Sequence, residues 1–267
     1  MIKLTQKEIK DILSIVDRAD LQGMNINEDN FYDLCDGCFG NGVLYTDSGV
    51  SKGVLFLEDY PNLVVKIPFT CCGDDDRAYS YHFSEKDGET TWIREYYDGS
   101  FDSAWQSLPD YLQDKLERQW DYCEVETLLF ADAMDEGVSD FFAETLLIGY
   151  SNGHPVYVQE KARIFQGESE YDDYGEYDPK TSTAILKSRI NMIKEEMANY
   201  DKSFHVDGIY FSAPRKWIVD FYLYYGVKEI IRLYNFISNT GIEDLHGENV
   251  GYINHRPVIT DYASFNS

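Results

Sequence analysis

Paired short apolar runs place the strongest constraint on the fold of this chain. The sequence contains three such pairs, each joined by turn residues: 53–57 with 63–67, 145–150 with 155–161, and 250–253 with 257–259. Short runs rich in β-branched residues around Pro-Asn or Asn-Gly turns are typical of β-hairpins. We therefore expect three hairpins, two in the first two thirds of the chain and one near its end.

Helical patterns account for much of the remaining sequence. Apolar residues recur at helical spacing in four segments, residues 3–20, 108–135, 181–199 and 215–239. Two polar segments rich in Asp and Gly, residues 25–42 and 73–103, predict a loop and an irregular insertion. Strands thus come first with one helix among them, and helices dominate later. This order favours a two-lobed α+β fold over a regular βαβ alternation.

The composition limits the classes of function. The chain of 267 residues carries 23 Lys and Arg against 48 Asp and Glu, a formal net charge of −25. Such a surface repels nucleic acid and anionic membranes and favours partners with basic surfaces. Since 43% of the residues are hydrophobic, the chain is not an acidic disordered tail. We expect no direct binding of nucleic acid and no association with a membrane.

The N-terminus and the cysteines favour a cytoplasmic location. No apolar run is long enough to span a membrane, and the first twenty residues predict an amphipathic helix, not a signal peptide. Five cysteines, with Cys71 and Cys72 adjacent, do not suggest a disulfide framework. Cys35 and Cys38 have the spacing of half a zinc site, but an adjacent pair chelates one tetrahedral ion poorly. We interpret all five as reduced thiols.

A glycine-bearing turn and a lysine downstream of it suggest phosphate binding. The turn is Gly49-Val-Ser51-Lys-Gly53, and glycines there would let backbone N–H groups approach phosphates. Lys66 lies in the apolar run Val-Val-Lys-Ile, where an unpaired ammonium would be costly to bury. A plain hairpin turn and a strand with one solvated face are the simpler explanations. The order of the two features favours a lysine that binds phosphates.

An acidic partner for that lysine is available on the helix that follows. Residues 121–133 carry Glu124 and Glu126, and either carboxylate would hold Lys66 against the phosphates. The apolar residues that follow Glu126 favour it slightly over Glu124.

The segment from Asp244 to Ala263 carries the most specific pattern. Asp244-Leu-His-Gly-Glu-Asn249 places an acid and an amide in one loop, and Asp261 follows a short hairpin. Asp244 would orient a hydroxyl and accept its proton, Asn249 would bind Mg²⁺, and Asp261 would bridge the metal to phosphates. An acidic loop that caps the preceding helix is the alternative. Together with the upstream glycine turn and Lys66, the pattern indicates a nucleotide site.

These motifs resemble those of the protein-kinase superfamily, in the variant whose catalytic loop reads Asp-x-His-x-x-Asn. Aminoglycoside and related small-molecule kinases share the histidine, here His246. The early-expressed protein kinases of T7-like bacteriophages are a closer match, because Ile259-Thr-Asp261-Tyr-Ala-Ser264-Phe265 resembles their Ile-Thr-Asp segment followed by Ser-Phe. The detailed likeness covers residues 40–67 and 215–267.

The resemblance implies a two-lobed protein-kinase-like fold. A helical extension would occupy residues 1–42, a small β-sheet N-lobe with an insertion residues 43–162, and a truncated, mainly helical C-lobe residues 163–267. The resemblance also implies ATP and Mg²⁺ as cofactors. It assigns catalysis to Asp244, Lys66 and Glu126; nucleotide binding to Gly49, Ser51, Gly53, Lys66 and Glu160; and metal binding to Asn249 and Asp261.

The implied activity is that of a serine/threonine kinase of the host cytoplasm, made early in infection, that phosphorylates host proteins and has itself as a further target. Departures from the common kinase pattern are Ile242 and Glu243 for His and Arg, and Tyr262 and Ala263 for Phe and Gly. Because four residues follow Ala263, we expect the activation segment, on which protein kinases dock peptides, to be absent.

Two other functions stay open. The net charge of −25 favours an acidic binding protein on a kinase-like scaffold, either a pseudokinase or a nucleic-acid mimic that inhibits a host enzyme. The set Lys66, Asp244, Asn249 and Asp261 argues against a complete loss of chemistry. His246 suggests a small-molecule phosphotransferase, but such enzymes build their substrate pocket after the position of Asp261, where this sequence is short.

Overall fold

The structure is a computed structural model. It describes residues 1–21, 26–49, 51–69, 79–86, 89–96, 108–116, 121–164, 188, 191, 192, 195, 216–242, 245 and 249–263. The chain divides into two compact units, one made of Met1–Leu128 with Glu144–Lys161, the other of Leu129–Ala143 with Ala162–Asn266. The described elements are helices and antiparallel sheets, so the α+β class is confirmed.

The described regular elements follow in chain order. The helices are α1 (Gln6–Val16), α2 (Glu28–Leu34), α3 (Asp110–Gln113), α4 (Tyr122–Asp135), α5 (Lys216–Tyr225) and α6 (Val227–Thr240). The strands are β1 (Val43–Ser48), β2 (Lys52–Leu57), β3 (Leu63–Pro68), β4 (Tyr79–Lys86), β5 (Glu89–Tyr96), β6 (Thr145–Ser151), β7 (His154–Glu160), β8 (Arg163–Ile164), β9 (Val250–Ile253) and β10 (Arg256–Ile259). Short 3₁₀ turns lie at Asp36–Cys38 and Ser139–Phe141.

The first unit is built on a five-stranded antiparallel sheet with the order β1-β2-β3-β7-β6. The predicted hairpins β2–β3 and β6–β7 are confirmed. The second of these turns at Asn152 and Gly153, whose φ angles of 50° and 88° are those that a tight two-residue hairpin turn requires. In the sequence, α4 lies between β3 and β6.

One face of this sheet carries the hydrophobic core. Leu55, Val65 and Val158 lie opposite one another on adjacent strands, and the N-terminal helices pack against them through Ile12 and Phe31. Because side chains alternate along a strand, Val54, Lys66 and Tyr157 occupy the other face of the same three strands. Helices α1 and α2 therefore cover the core face of the sheet and not the face that carries Lys66.

The prediction of a loop over residues 25–42 was wrong for residues 28–34 and 36–38, which form α2 and a 3₁₀ turn. Helix α2 forms there because Asn27 and Asn30 cap its first turn reciprocally, each side-chain oxygen accepting a backbone N–H of the other residue. Phe31 and Leu34, three residues apart, are buried on one side of the short helix. The asparagines that indicated a loop act here as helix caps. The preceding helix α1 confirms the helical prediction for residues 3–20, with shorter bounds.

Two further predictions need correction. The segment 73–103 contains the antiparallel hairpin β4–β5, which forms a two-stranded sheet, and is not wholly irregular. Residues 108–135 form two helices, α3 and α4, instead of one. Helix α4 begins where it does because the Asp121 carboxylate accepts the backbone N–H of Glu124 at 2.8 Å, which caps the first turn.

The second unit contains α5, α6 and a three-stranded sheet with the order β10-β9-β8. The predicted final hairpin, β9–β10, is confirmed. The single helix predicted over 215–239 is divided at Gly226, whose φ of 80° interrupts the helical backbone. Of the helix predicted over 181–199, residues 188, 191, 192 and 195 are helical, and the others lie outside the described residues.

Aromatic side chains form much of the core of the second unit. Phe142 packs edge-on against Phe236 and Tyr262, with ring centroids 5.6 and 5.0 Å away. The Tyr262 hydroxyl donates to the carbonyl of Ala143 at 2.9 Å, so the residue after Asp261 is fully buried and held in place. In the part of the chain that the structure describes, no helix is long and apolar enough to cross a membrane.

Candidate functional site

Two buried lysines and one buried glutamate form a charged cluster in the first unit. Lys66 Nζ lies 2.8 Å from Oε2 and 3.1 Å from Oε1 of Glu126, and Lys52 Nζ lies 2.7 Å from the same Oε1. The residues Lys52, Lys66 and Glu126 are 5%, 4% and 0% exposed. Burying charges is costly unless they are paired and hydrogen-bonded. The arrangement is therefore a specific one, distinct from the ion pairs of a solvated surface.

The sheet register brings the two lysines together. Lys66 on β3 lies opposite Val54 on β2, and Lys52 lies opposite Pro68 at the other end of the same strand pair. Lys52 and Val54 are two residues apart, so both share the face of Lys66. Glu126 comes from α4 and is the residue that reaches both ammonium groups. Glu124, two residues earlier, is half-buried in the first turn of the helix.

Polar side chains from β6 and β7 fix the carboxylate. The Thr145 hydroxyl donates to Glu126 Oε2 at 3.0 Å, and the Gln159 amide donates to Thr145 Oγ1 at 2.8 Å. Thr145 lies opposite Gln159 in the β6–β7 ladder. The glutamate is thus held by hydrogen bonds from strand residues as well as by the lysines. A carboxylate held in this way positions the Lys66 ammonium in turn.

A second buried acid lies at the start of α4. The Tyr157 hydroxyl donates to Asp121 Oδ2 at 2.9 Å, and Asp121 Oδ1 caps the helix. Burial raises the pKa of the Tyr157 hydroxyl far above its usual range, and the charge of Asp121 adds to this effect. Burial likewise raises the pKa of the Cys123 thiol, and the negative charge of Glu126 is the second largest cause of this increase. Both groups are therefore neutral at physiological pH and unsuited to act as nucleophiles.

The predicted glycine turn, Gly49–Gly53, contains Lys52 of this cluster. Gly49 follows β1 and donates its N–H to the carbonyl of Lys52 at 3.0 Å, and the Ser51 carbonyl accepts the N–H of Phe69 at 2.9 Å. Gly53 belongs to β2, opposite Ile67. A Cβ atom on Gly53 would lie 2.3 Å from the ring of Phe31, so the absence of a side chain here allows close packing on the core face.

Glu160 is the last residue of β7 and lies opposite Leu63 on β3, so its side chain is on the core face and not on the face of Lys66. Its backbone N–H donates to the Glu144 carbonyl at 3.2 Å, and its carboxylate lies 3.9 Å from the N-terminal ammonium. The neighbouring Lys161 places its ammonium 4.8 Å from the ring centroid of Phe56 and 5.9 Å from that of Tyr45. These two rings stack at 4.1 Å, so the sheet face that carries Lys66 continues into an aromatic surface.

The second unit holds the predicted metal-binding residues. Asn249 precedes β9 and Asp261 follows β10 by two residues; both are half-buried. The N–H of Thr260 donates to the Asn249 carbonyl at 2.8 Å, which extends the hairpin by one pair beyond Val250 and Ile259. An amide and a carboxylate thus occur at one end of the hairpin, and oxygen atoms of these types suit Mg²⁺. Asp244 and His246 lie outside the described residues.

The cysteines of the described chain are free and buried. Burial raises the pKa of Cys35 to about 12 and that of Cys38 to about 11. Cys38 donates to the carbonyl of Ile15 at 3.4 Å, as a thiol does and a metal-bound thiolate does not. Among the residues that the structure describes, no group of three or more His, Cys, Asp or Glu side chains is arranged to hold a metal ion. Cys71 and Cys72 lie outside them.

Sequence reasoning missed Lys52, Thr145, Gln159, Asp121 and Tyr157. Lys52 could have been found from the sequence. In the predicted hairpin, side chains alternate between the two faces, and extending the first strand by one residue places Lys52 on the same face as Lys66. The polar residues of β6 and β7 gave no such signal, since their role depends on the position of α4.

Comparisons of this chain with known protein families, with curated proteins and with solved structures found no match.

Proposed function

We propose that this protein is a kinase-like enzyme that binds ATP with Mg²⁺ and transfers the γ-phosphate to serine or threonine hydroxyls of host proteins. The observation that carries the proposal is the buried contact between Lys66 on β3 and Glu126 on α4. In protein kinases an ion pair between these two kinds of element holds the lysine that binds the α- and β-phosphates. The finer kinase-like, two-lobed arrangement of the fold belongs to the same proposal.

Lys66 would bind the phosphates while Glu126 holds its ammonium in place. An ammonium fixed by a carboxylate before the ligand arrives needs little reorganisation when it binds an anion. Val54 lies opposite Lys66 on the adjacent strand, and Val64 precedes Lys66 on the same face. These apolar side chains are suited to contact the base of a nucleotide. Gly49 and Ser51 would bring backbone groups close to the phosphates. Glu160 has its side chain on the core face, two residues after Val158, so its backbone and not its carboxylate would take part in the proposed nucleotide binding.

Asn249 and Asp261 would hold Mg²⁺, for which their amide and carboxylate oxygens are suitable ligands. The metal ion would neutralise charge on the phosphates. Asp244 would orient the substrate hydroxyl and accept its proton as the hydroxyl oxygen bonds to the γ-phosphorus and the bond to the ADP oxygen breaks. The net charge of −25 favours substrates with basic surfaces.

Incubation of the full chain with ATP labelled at the γ-phosphate, Mg²⁺ and a host lysate tests this function. We expect label on lysate proteins or on the chain, and its loss in the variants Asp244→Ala, Asp261→Ala and Lys66→Ala. Lys10→Ala is the matched control, because Lys10 is exposed on α1. Transfer that is unchanged in all three site variants would contradict the proposed residues.

The net charge supports one other function, an acidic binding protein that inhibits a host enzyme or imitates nucleic acid. The same lysate assay separates it from the kinase. Inhibition of a host enzyme that persists in Asp244→Ala and Asp261→Ala, together with no transfer of label by the wild type, would favour the binding protein.

A further inference from the structure

The lysine at the start of β2 occupies the same charged cluster as Lys66. Lys52 is 5% exposed, and its Nζ lies 2.7 Å from Oε1 of Glu126, the oxygen that Lys66 also contacts at 3.1 Å. Since both nitrogens contact one oxygen atom, their separation cannot exceed the sum of these two distances. An anion that meets one ammonium is therefore within reach of the other.

We infer that Lys52 is a second phosphate-binding lysine, which with Lys66 makes the site selective for nucleoside di- and triphosphates over monophosphates and nucleosides. The inference rests on the nucleotide-binding function proposed above and deepens it. Two ammonium groups side by side match the charge of adjacent phosphates better than one does. A nucleoside has no phosphate group, so the second ammonium does not strengthen its binding.

The position of Lys52 in the chain supports this role. It is the first residue of β2 and directly follows the turn that contains Gly49 and Ser51. The Gly49 N–H donates to the Lys52 carbonyl, so the backbone of Lys52 closes this turn. A ligand that approaches the backbone of the turn would therefore meet the Lys52 ammonium next to it, while Glu126 holds the side chain on the face of Lys66.

A purely structural role would have different consequences. If Lys52 only neutralised and oriented Glu126, its loss would disturb Lys66 and would weaken the binding of AMP, ADP and ATP by similar factors. A direct contact with the β- or γ-phosphate would instead change the ratio of these affinities. The dependence of affinity on phosphate number therefore separates the two roles.

The test is calorimetric titration of the full chain with adenosine, AMP, ADP and ATP in the presence of Mg²⁺. We expect Lys52→Met to weaken ATP and ADP binding by about tenfold or more and to leave adenosine and AMP within about twofold of the wild type. Lys52→Arg, which keeps the charge, should restore part of the preference for ATP. Lys10→Met should leave all four affinities unchanged.

A measurement on the unmutated chain covers the case in which Lys52→Met does not fold. An acyl-phosphate derivative of ATP transfers its acyl group to an amine beside the terminal phosphate, with ATP as the leaving group. We expect peptide mapping by mass spectrometry to find acyl groups on both Lys52 and Lys66, and excess ATP but not adenosine to prevent both labels. Label on Lys66 alone would overturn the inference.

The outcomes distinguish this inference from the function on which it rests. No saturable binding of any nucleotide by the wild type would overturn both. Binding by the wild type with unchanged ratios of the ATP, ADP and AMP affinities in Lys52→Met would overturn only the role of Lys52.

Discussion

The ring of Phe31 contacts Gly53 so closely that a Cβ atom on residue 53 would lie 2.3 Å from its Cε1 and Cζ atoms. Phe31 is 1% exposed and belongs to α2, and Gly53 belongs to β2. The contact lies on the core face of the sheet, opposite to the face of Lys66. Its role in packing is therefore separate from any role of Gly53 in phosphate binding.

This contact predicts that Gly53→Ala destabilises the protein by about 1–3 kcal/mol, because the added methyl group must displace a fully buried ring. The measurement is the free energy of unfolding in urea. Phe31→Leu in the Gly53→Ala background should recover part of the loss, since leucine lacks the ring atoms that clash. Additive effects of the two substitutions would show that the ring is not the obstacle.

The charged cluster predicts a large difference between two glutamates of one helix. Glu126→Ala removes the carboxylate that two buried ammonium groups share, and we expect a loss of about 3–5 kcal/mol in the free energy of unfolding. Glu124→Ala, two residues away and half-buried, should change it by no more than about 0.5 kcal/mol. Equal effects of the two substitutions in thermal or urea unfolding would contradict the assignment of Glu126 as the partner of both lysines.

The buried thiols predict a loss of stability at alkaline pH. The pKa values of Cys35 and Cys38 are raised by burial to about 12 and about 11. Between the unfolded thiol pKa of about 8.5 and these values, the unfolded chain ionises while the folded chain does not. The unfolded state then binds fewer protons than the folded one, so stability falls as pH rises through this window and is unaffected below it.

Unfolding free energies at several pH values from neutral to strongly alkaline measure this effect. The variant with Cys35→Ala and Cys38→Ala should show a shallower fall over the window than the wild type. The matched control is Tyr32→Phe, which removes an exposed hydroxyl from α2, close in sequence to both cysteines. Identical pH profiles for the wild type and the double cysteine variant would refute the explanation.

The hairpins could be predicted from the sequence because their signals are local. Residues 53–57 and 63–67 combine β-branched side chains with a turn between them, and the structure pairs Val54 with Lys66 as such a hairpin requires. The turn at Asn152 and Gly153 was equally evident, since both residues accept positive φ angles. Physical preferences of a few neighbouring residues decide these elements.

The errors occurred where one residue type serves two purposes. Asparagine favours both loops and helix caps, and at Asn27 the cap prevailed because Phe31 and Leu34 had a core to pack into. The apolar pattern predicted one helix over residues 215–239 despite Gly226, but the φ of 80° at this glycine divides the segment into two helices. Tertiary packing and backbone angle decide these cases, and neither can be seen in a local pattern.

The candidate site could be predicted only in part for the same reason. The pattern indicated Lys66 and offered Glu124 and Glu126 as partners, and the structure brings Lys66 and Glu126 into contact. Lys52, Thr145 and Gln159 join the cluster through the sheet register and the position of α4. Such contacts join residues far apart in the sequence, and no local spacing encodes them.

The nucleotide site is tested most directly by the affinity of the full chain for ATP with Mg²⁺, compared between the wild type, Lys66→Met and the control Lys10→Met. We expect saturable binding by the wild type and by Lys10→Met, and affinity about tenfold to a hundredfold weaker in Lys66→Met, since a charged hydrogen bond to phosphate is lost. Circular dichroism should show the same helical content in all three proteins. No binding by the wild type, or equal affinities in the wild type and a folded Lys66→Met variant, would contradict the nucleotide site.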